Sequence, residues 1–354
     1  MQISEWNRLM KDVEVPSELT KWLEQANDEQ LFRINLKELA PRLGLELRPL
    51  VEIFLHAVKS GAFSLNWAYY CTFCGGLPGF KHNFNELKTS EKCPLCNSVF
   101  RNSLDTNVAV TFTVHPALHP IPEELSKKAF DIMVQTFQKK ESSLPKSFLS
   151  GLEVLNSATF RELFGDDVLS VEESLDVNRV TLLFTDIKDS TRMYSRYGDA
   201  TSYRIVRDHF KTLFNEVEKN GGVVVKTIGD AVMASFLRPS DGMRAALGAF
   251  EAFQKITWDA LGGGLEIKMG LHSGGVIVVN LNNRVDYFGN AVNLAARIQG
   301  TAENHMICFS QEILDDPEVK KTLLNWTKER KKKIWRKKTS LKGIEGQVEL
   351  YSLT

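Results

Sequence analysis

No apolar run in the 354 residues approaches the ~18–20 needed to cross a bilayer, so no membrane span is expected. Neither sign of charge is in surplus, with Lys+Arg and Asp+Glu at 44 each. A whole-molecule grip on a polyanion is therefore excluded, and any such contact must be local. Cysteines number only five, which rules out a disulfide-built scaffold in a chain this long. The opening Met1-Gln2-Ile3-Ser4-Glu5-Trp6 has no basic segment followed by an apolar one. No secretory leader is expected, and the expected location is cytoplasmic. No internal repeat is visible. What remains is ordinary for a globular protein: 43% hydrophobic residues and 25% charged, at a length that suggests two or three domains.

Residues 1–165 read as an N-terminal region of helices plus a cysteine array. Residues 35–44 form a short helical unit closed by Gly44, and residues 46–59 a longer one with Leu50, Ile53, Leu55 and Val58 as a buried stripe. Residues 63–70 read as a strand. Helix, turn, helix, strand is similar to the order of a winged-helix unit. Its DNA-reading helix would carry only Arg48 and Lys59 against Glu46 and Glu52, so nucleic acid is not an expected partner here. Residues 108–114 alternate as a strand, 123–138 read as a helix, and a polar stretch around Pro145 follows. The acidic segment 166–178 reads as an interdomain connector. From Arg179 strands and helices alternate without the regular spacing of a parallel sheet. That pattern points to an α+β fold, a mixed or antiparallel sheet with helices on one side. Strands are expected at 180–185, 223–225, 231–236, 265–271, 275–280, 306–310 and 348–353, with helices at 197–220, 240–256 and 290–299.

Cys71-Thr-Phe-Cys74 and Cys93-Pro-Leu-Cys96 are two C-x2-C pairs separated by 18 residues. Four thiolates in two tight pairs suit the tetrahedral preference of zinc, so Cys71, Cys74, Cys93 and Cys96 are the expected ligands of a structural Zn2+. A redox dithiol would occur once beside a βαβ element. The Gly75-Gly76 pair lets backbone N–H groups turn toward the sulfurs. Cys308 stands alone in a strand and reads as buried filler.

Three further blocks carry charge in suggestive places. Asp186 ends an apolar strand, and the turn after it leads into a helix. A carboxylate there suits a metal-bound polyphosphate, although Asp189 or Ser190 as a simple helix cap explains the turn equally well. Asp230 lies in the hairpin Lys226-Thr-Ile-Gly-Asp230, where turn chemistry alone favours Gly and Asp. If that hairpin lies beside the first strand, the two aspartates converge. Asn293 and Arg297 are four residues apart and share a helix face, about 40° from each other.

Together these blocks resemble the class III nucleotidyl cyclase catalytic domains. The matching segments are Phe184-Thr-Asp-Ile-Lys-Asp-Ser-Thr191, Val225-Lys-Thr-Ile-Gly-Asp-Ala231 and Asp286-Tyr-Phe-Gly-Asn-Ala-Val-Asn-Leu-Ala-Ala-Arg297. The resemblance covers residues 179–354, and the cysteine-bearing region resembles ribbon-bearing segments ahead of some bacterial cyclase domains. It implies that Asp186, Asp230 and the backbone carbonyl of Ile187 hold two Mg2+ or Mn2+ ions per site. It implies that Lys226 and Asp286 recognise the purine. Asn293 and Arg297 would position the ribose and stabilise the transition state, and Lys342 would contact the terminal phosphates. Asp189 departs from the family, which often has glycine there. The implied activity is conversion of ATP to 3′,5′-cyclic AMP and pyrophosphate at a site shared across a homodimer. An unknown ligand or protein would be sensed by residues 1–165. Lys226 and Asp286 match adenine better than guanine, whose O6 would meet a carboxylate. Rival readings are a guanylate cyclase, a cyclase-fold module that only binds nucleotide, and a zinc-ribbon nucleic-acid regulator using the basic run 328–338. That run also reads as a lysine-protected strand edge.

Overall fold

The computed structural model describes residues 1–138, 147–256, 258, 264–303 and 306–353. The expected polar stretch around Pro145 is centred outside them. The chain forms two compact units: residues 1–177 with 278–285, and residues 178–277 with 286–354.

The first unit opens with five helices, α1 (Ile3–Leu9), α2 (Ser17–Gln25), α3 (Asp28–Leu31), α4 (Leu36–Leu43) and α5 (Leu47–Lys59). Asn27 and Gln30 cap α3 reciprocally, Asn35 caps α4, and Gly44 closes α4 in the left-handed region at φ 67°. Next come β1 (Phe63–Tyr69), β2 (Gly79–Lys81), β3 (Ser90–Lys92), β4 (Val99–Arg101), β5 (Val108–Val114), α6 (Glu123–Gln138), β6 (Leu149–Ser150), α7 (Gly151–Leu155) and α8 (Ala158–Leu163). β2-β1-β5-β6 form an antiparallel sheet, while β3 and β4 form a separate ribbon. An aromatic core holds the unit together: Phe54 and Trp6 pack edge-on to Phe63, and Trp67 packs on Phe84 and Phe160. The expected stripe on α5 is wider than its periodicity suggested. Val51, Phe54 and Ala57 are buried while Val58 is half-buried, because α4, α8 and β1 all pack on this helix. Its basic residues are engaged: Arg48 pairs with Glu52, and Lys59 Nζ donates to the Leu163 carbonyl.

The acidic stretch 166–178 is bound within this unit. Asp167 accepts hydrogen bonds from the backbone N–H groups of Phe84 and Asn85 (2.9 and 3.1 Å), and Glu173 accepts from the Thr89 hydroxyl at 2.7 Å. Asp176 takes two bonds from Arg101 at 2.7 and 2.8 Å. The next strand, β7 (Ser174–Ile187), begins inside this stretch, six residues before the start expected from the apolar run.

The second unit continues with α9 (Ser190–Tyr197), α10 (Asp199–Lys219), β8 (Val223–Ile228), β9 (Ala231–Phe236), α11 (Pro239–Lys255), β10 (Ile267–Leu281), β11 (Arg284–Phe288), α12 (Asn290–Gly300), β12 (Met306–Ser310), α13 (Gln311–Leu314), α14 (Pro317–Arg330), β13 (Ile334–Thr339) and β14 (Val348–Leu353). The helix expected over 197–220 begins seven residues earlier and is broken by Gly198 at φ 73°. The two strands expected at 265–271 and 275–280 are one. Gly274 and Gly275 lie inside this strand and make no turn.

The eight-stranded sheet runs β13-β14-β12-β10-β7-β9-β8, with β11 paired to β10. It is mixed: β10 and β12 are parallel, whereas β7–β9, β8–β9, β12–β14 and β13–β14 are antiparallel. Alternation along each strand sorts its residues. Leu183, Val232, Ala234, Met269, Leu271, Ile307, Phe309 and Leu353 join one core with Leu213 of α10, Phe250 of α11 and Leu323 of α14. Their neighbours Cys308 and Leu350 face the other way and pack with Ile298 of α12. α12 therefore departs from the expected one-sided packing. No helix among the described residues is long and apolar enough to cross a membrane.

His209 of α10 lies inside the larger layer, fully buried against Phe253, and neither ring nitrogen has a hydrogen-bond partner among the described residues. Burial pushes its pKa down to about 4, against a weaker opposing pull from the charge of Asp230. The unfolded chain, with an ordinary imidazole, takes up the proton first as pH falls, so stability is lost from near pH 6.5 downward. From pH 7 to pH 5 the loss is about 2 kcal/mol. Urea denaturation at the two pH values should show this dependence, and His209→Phe should remove most of it.

Candidate functional site

β7 and β9 pair from Thr181↔Phe236 to Thr185↔Val232, which brings Asp186 and the hairpin residue Asp230 to the same end of the pair. Gly229 makes the hairpin possible with φ 63°. The two carboxyls are close enough to interact, and the Ile187 N–H donates to Asp230 Oδ2 at 3.2 Å. The Asp186 pKa is pushed up to about 6, first by burial and then by the charge of Asp230, with Lys268 and the Ile187 N–H pulling the other way. Two crowded carboxyls beside a backbone turn form an all-oxygen donor set. Such a set fits a hard divalent cation, whose charge would relieve the repulsion. Asp189 occupies the N-cap position of α9 but makes no side-chain cap bond. It is exposed, with φ 54°, a left-handed conformation that glycine adopts without strain. The simple cap by Asp189 is thus not realised.

A second cluster joins two distant segments. Lys226 Nζ donates to Asp286 Oδ2 at 2.5 Å, while the Tyr287 N–H donates to Oδ1 at 2.8 Å. Asp286 is 5% exposed, and both its oxygens are engaged. Lys226 owes its orientation to a β-bulge: the β8–β9 register shifts between Val224 and Lys226, leaving Val225 as the extra residue.

Asn293 and Arg297 lie on α12 and are exposed, as is Lys342 in the loop between β13 and β14. None of the three makes a side-chain hydrogen bond or ion pair with the aspartates or with Lys226. The height of α12 is set by glycine. A Cβ on Gly270 would fall 2.2 Å from the Gln299 backbone nitrogen, and one on Gly274 would fall 3.0 Å from Ala291 Cβ. Two residues escaped the sequence reading. Lys268, whose charge acts on Asp186, carries no motif; only the placement of β10 next to β7 reveals it. Gly270 reads in sequence as an ordinary strand glycine.

In the first unit, Cys71, Cys74, Cys93 and Cys96 place their sulfurs within 4.8 Å of one another. Cys71–Cys96 and Cys74–Cys93 approach to 3.6 and 3.7 Å, close to the roughly 3.8 Å edge of a tetrahedral thiolate site. The two knuckles repeat one geometry. Cys71 O accepts from Gly75 N and Cys71 N donates to Gly76 O; Cys93 makes the same bonds with Asn97 N and Ser98 O. Gly75 and Asn97 are both left-handed, at φ 67° and 62°. Burial pushes the Cys74 thiol up to about 12, whereas the Ser98 N–H holds Cys96 down to about 6. The donors fit a thiophilic metal ion. Cys308 is buried at 3% exposure, as expected for filler.

Residues 172–354, just over half the chain, match the family described as the adenylate and guanylate cyclase catalytic domain. Residues 4–233 match a family of unknown function, DUF5939. An adenylate cyclase of Mycosarcoma maydis is 33% identical over 181 residues, covering 44% of this chain and 7% of that protein. An adenylate cyclase of Anabaena cylindrica is 29% identical over 140 residues, covering 36% of this chain and 28% of that one. The chain thus spans less than a third of either relative. Among solved structures, a guanylate cyclase domain from Catenaria anguillulae in complex with GTP is 22% identical. It aligns with 51% of this chain and 97% of its own, at a TM-score of 0.43.

The docking of α12 gives a direct test. Gly270→Ala forces a methyl into the Gln299 backbone and should cost about 1–3 kcal/mol. Gly300→Ala meets no atom within 4 Å and should leave stability unchanged or slightly raised. Chemical denaturation of the two variants separates close packing from a generic intolerance of this helix to substitution.

Proposed function

Because this chain belongs to the adenylate and guanylate cyclase catalytic domain family, we propose that it is an adenylate cyclase, forming 3′,5′-cyclic AMP and pyrophosphate from ATP. The observation that carries the reading is the convergence of Asp186 and Asp230 at one end of the β7–β9 pair. We assign residues 179–354 to catalysis and residues 1–165 to regulation, joined through 166–178.

In the proposed reaction the ribose 3′-oxygen attacks the α-phosphorus. A P–O bond forms, the bond to the β-phosphate breaks, pyrophosphate leaves, and the hydroxyl proton passes to solvent. Asp186, Asp230 and the Ile187 carbonyl would hold two Mg2+ or Mn2+ ions. Bound there, these ions supply Lewis acidity to the reacting oxygens and neutralise the leaving group. Arg297 would meet the charge building on the α-phosphate, Asn293 would orient the sugar, and Lys342 would contact the terminal phosphates. Lys226 and Asp286 would read the base. Asp286, an acceptor held by the Tyr287 N–H, matches the adenine amino group, and Lys226 donates to the ring nitrogen. Guanine would set O6 against that carboxylate.

A second copy of the chain completes the proposed assembly. Supporting this, Asn293 and Arg297 are exposed and make no hydrogen bond or ion pair with the aspartates, and apolar Ile228 (55% exposed) and Phe288 (64%) lie two residues from Asp230 and Asp286. For the cysteine site we propose structural zinc.

Purified protein with Mn2+ or Mg2+ should form cyclic AMP from ATP, with kcat/KM for GTP lower by about 10²-fold or more. Asp186→Ala or Asp230→Ala should each lower kcat by about 10²–10³-fold. Mixing Asp186→Ala with Arg297→Ala chains should restore part of the turnover, because a mixed dimer retains one complete site. A folded dimer inert toward ATP with manganese would overturn the reading, as would full turnover by either aspartate variant. The zinc assignment has its own readout. Elemental analysis should give one zinc per chain, lost together with thermal stability in Cys93→Ser but retained in Cys308→Ser.

A further inference from the structure

β13 stands at the open edge of the eight-stranded sheet, and the turn leading into it is Lys331-Lys332-Lys333. Residues 331–338 are all exposed. Within them lie five lysines, an indole that is 57% exposed at Trp335, and Ile334 at 36%. The two arginines of the region are engaged, Arg330 with Glu251 and Arg336 with Glu349. Glu349 opposes Lys338 on the adjacent strand, and it also accepts from Tyr351. The lysines thus form a local excess of positive charge on a chain whose net charge is +0.

We propose that this edge docks on an anionic phospholipid surface, with Trp335 entering the interfacial layer and Lys337, on the same face of the strand, facing the headgroups together with Lys331, Lys332 and Lys333 of the preceding turn. Lysines on an edge strand prevent pairing with other strands, which accounts for the charge. It does not account for an exposed indole among them. An indole flanked by lysines suits the boundary between hydrocarbon and water, where the ring body is buried and the charged tips stay wet. Nucleic acid fits less well. The forked guanidinium groups that grip phosphates are engaged elsewhere, and a single aromatic offers no row of stacking platforms. A protein strand adding to this edge would meet the lysines first.

The proposal does not depend on the nucleotide chemistry and is tested with the full chain. Vesicles of phosphatidylcholine with and without phosphatidylserine are the probes, read by co-sedimentation. Binding should require phosphatidylserine and fall steeply with salt. Lys331→Gln/Lys332→Gln/Lys333→Gln should weaken it about a hundredfold. Trp335→Ser should weaken it separately, with unchanged melting temperature and unchanged turnover without vesicles. The Trp335 contribution to fluorescence, obtained by difference from Trp335→Phe, should shift to the blue on binding. Equal binding to neutral vesicles overturns the proposal, as does phosphatidylserine binding indifferent to the lysine variant. So does saturable binding of single-stranded DNA with no vesicle binding.

Discussion

The pleat of the eight-stranded sheet is the constraint from which the second unit follows. Successive side chains on a strand point to opposite faces, so a strand that buries Leu183 and Ile187 under helices must present Asp186 on the other side. The same alternation separates Val232 and Ala234 from Met233, which pairs in register with Lys226. One face packs against α10, α11 and α14. The opposite face buries Val180, Leu182 and Met233 as well as the cluster around Ile298, Cys308 and Leu350, and at the end of β7 it carries Asp186. Slipping β7 by one residue would bury Asp186 in the aliphatic layer, so register and site are protected by the same energy.

That division also explains the electrostatics. A carboxyl half-removed from water beside another carboxyl is unfavourable in the protein alone, and Asp186 shows it in a pKa near 6. The fold holds the two together because strand pairing and the Asp230–Ile187 hydrogen bond fix the backbone whatever the charges prefer. Such opposition between local preference and global fold is typical of sites kept for chemistry.

Much of this was legible in the sequence because the informative features are local. The C-x2-C pairs, the strand ending at Asp186 and the Gly229-Asp230 turn each write their geometry into a few adjacent residues. What was not legible depends on distant segments. Nothing around Val225 announces a bulge, which arises only when β8 meets β9. Gly270 looks like a weak strand residue until α12 is laid across it. Lys268 becomes relevant only once β10 lies beside β7. The acidic stretch 166–178 read as a tether because its partners, Phe84, Thr89 and Arg101, are about 75–85 residues away.

If Lys226 and Asp286 read the base as proposed, the pair shows how such a fold can prepare a recognition site in advance of its ligand. A carboxylate that is 5% exposed would be costly alone, and removing its lysine would leave a buried uncompensated charge. Lys226 Nζ and the Tyr287 N–H both donate to Asp286, so its two oxygens are in use as acceptors. A base that offers a donor can replace part of this arrangement at little loss. One that offers an acceptor must face the carboxylate with no proton between them. Selectivity then comes less from added attraction to the right base than from the unmade hydrogen bonds a wrong base would leave.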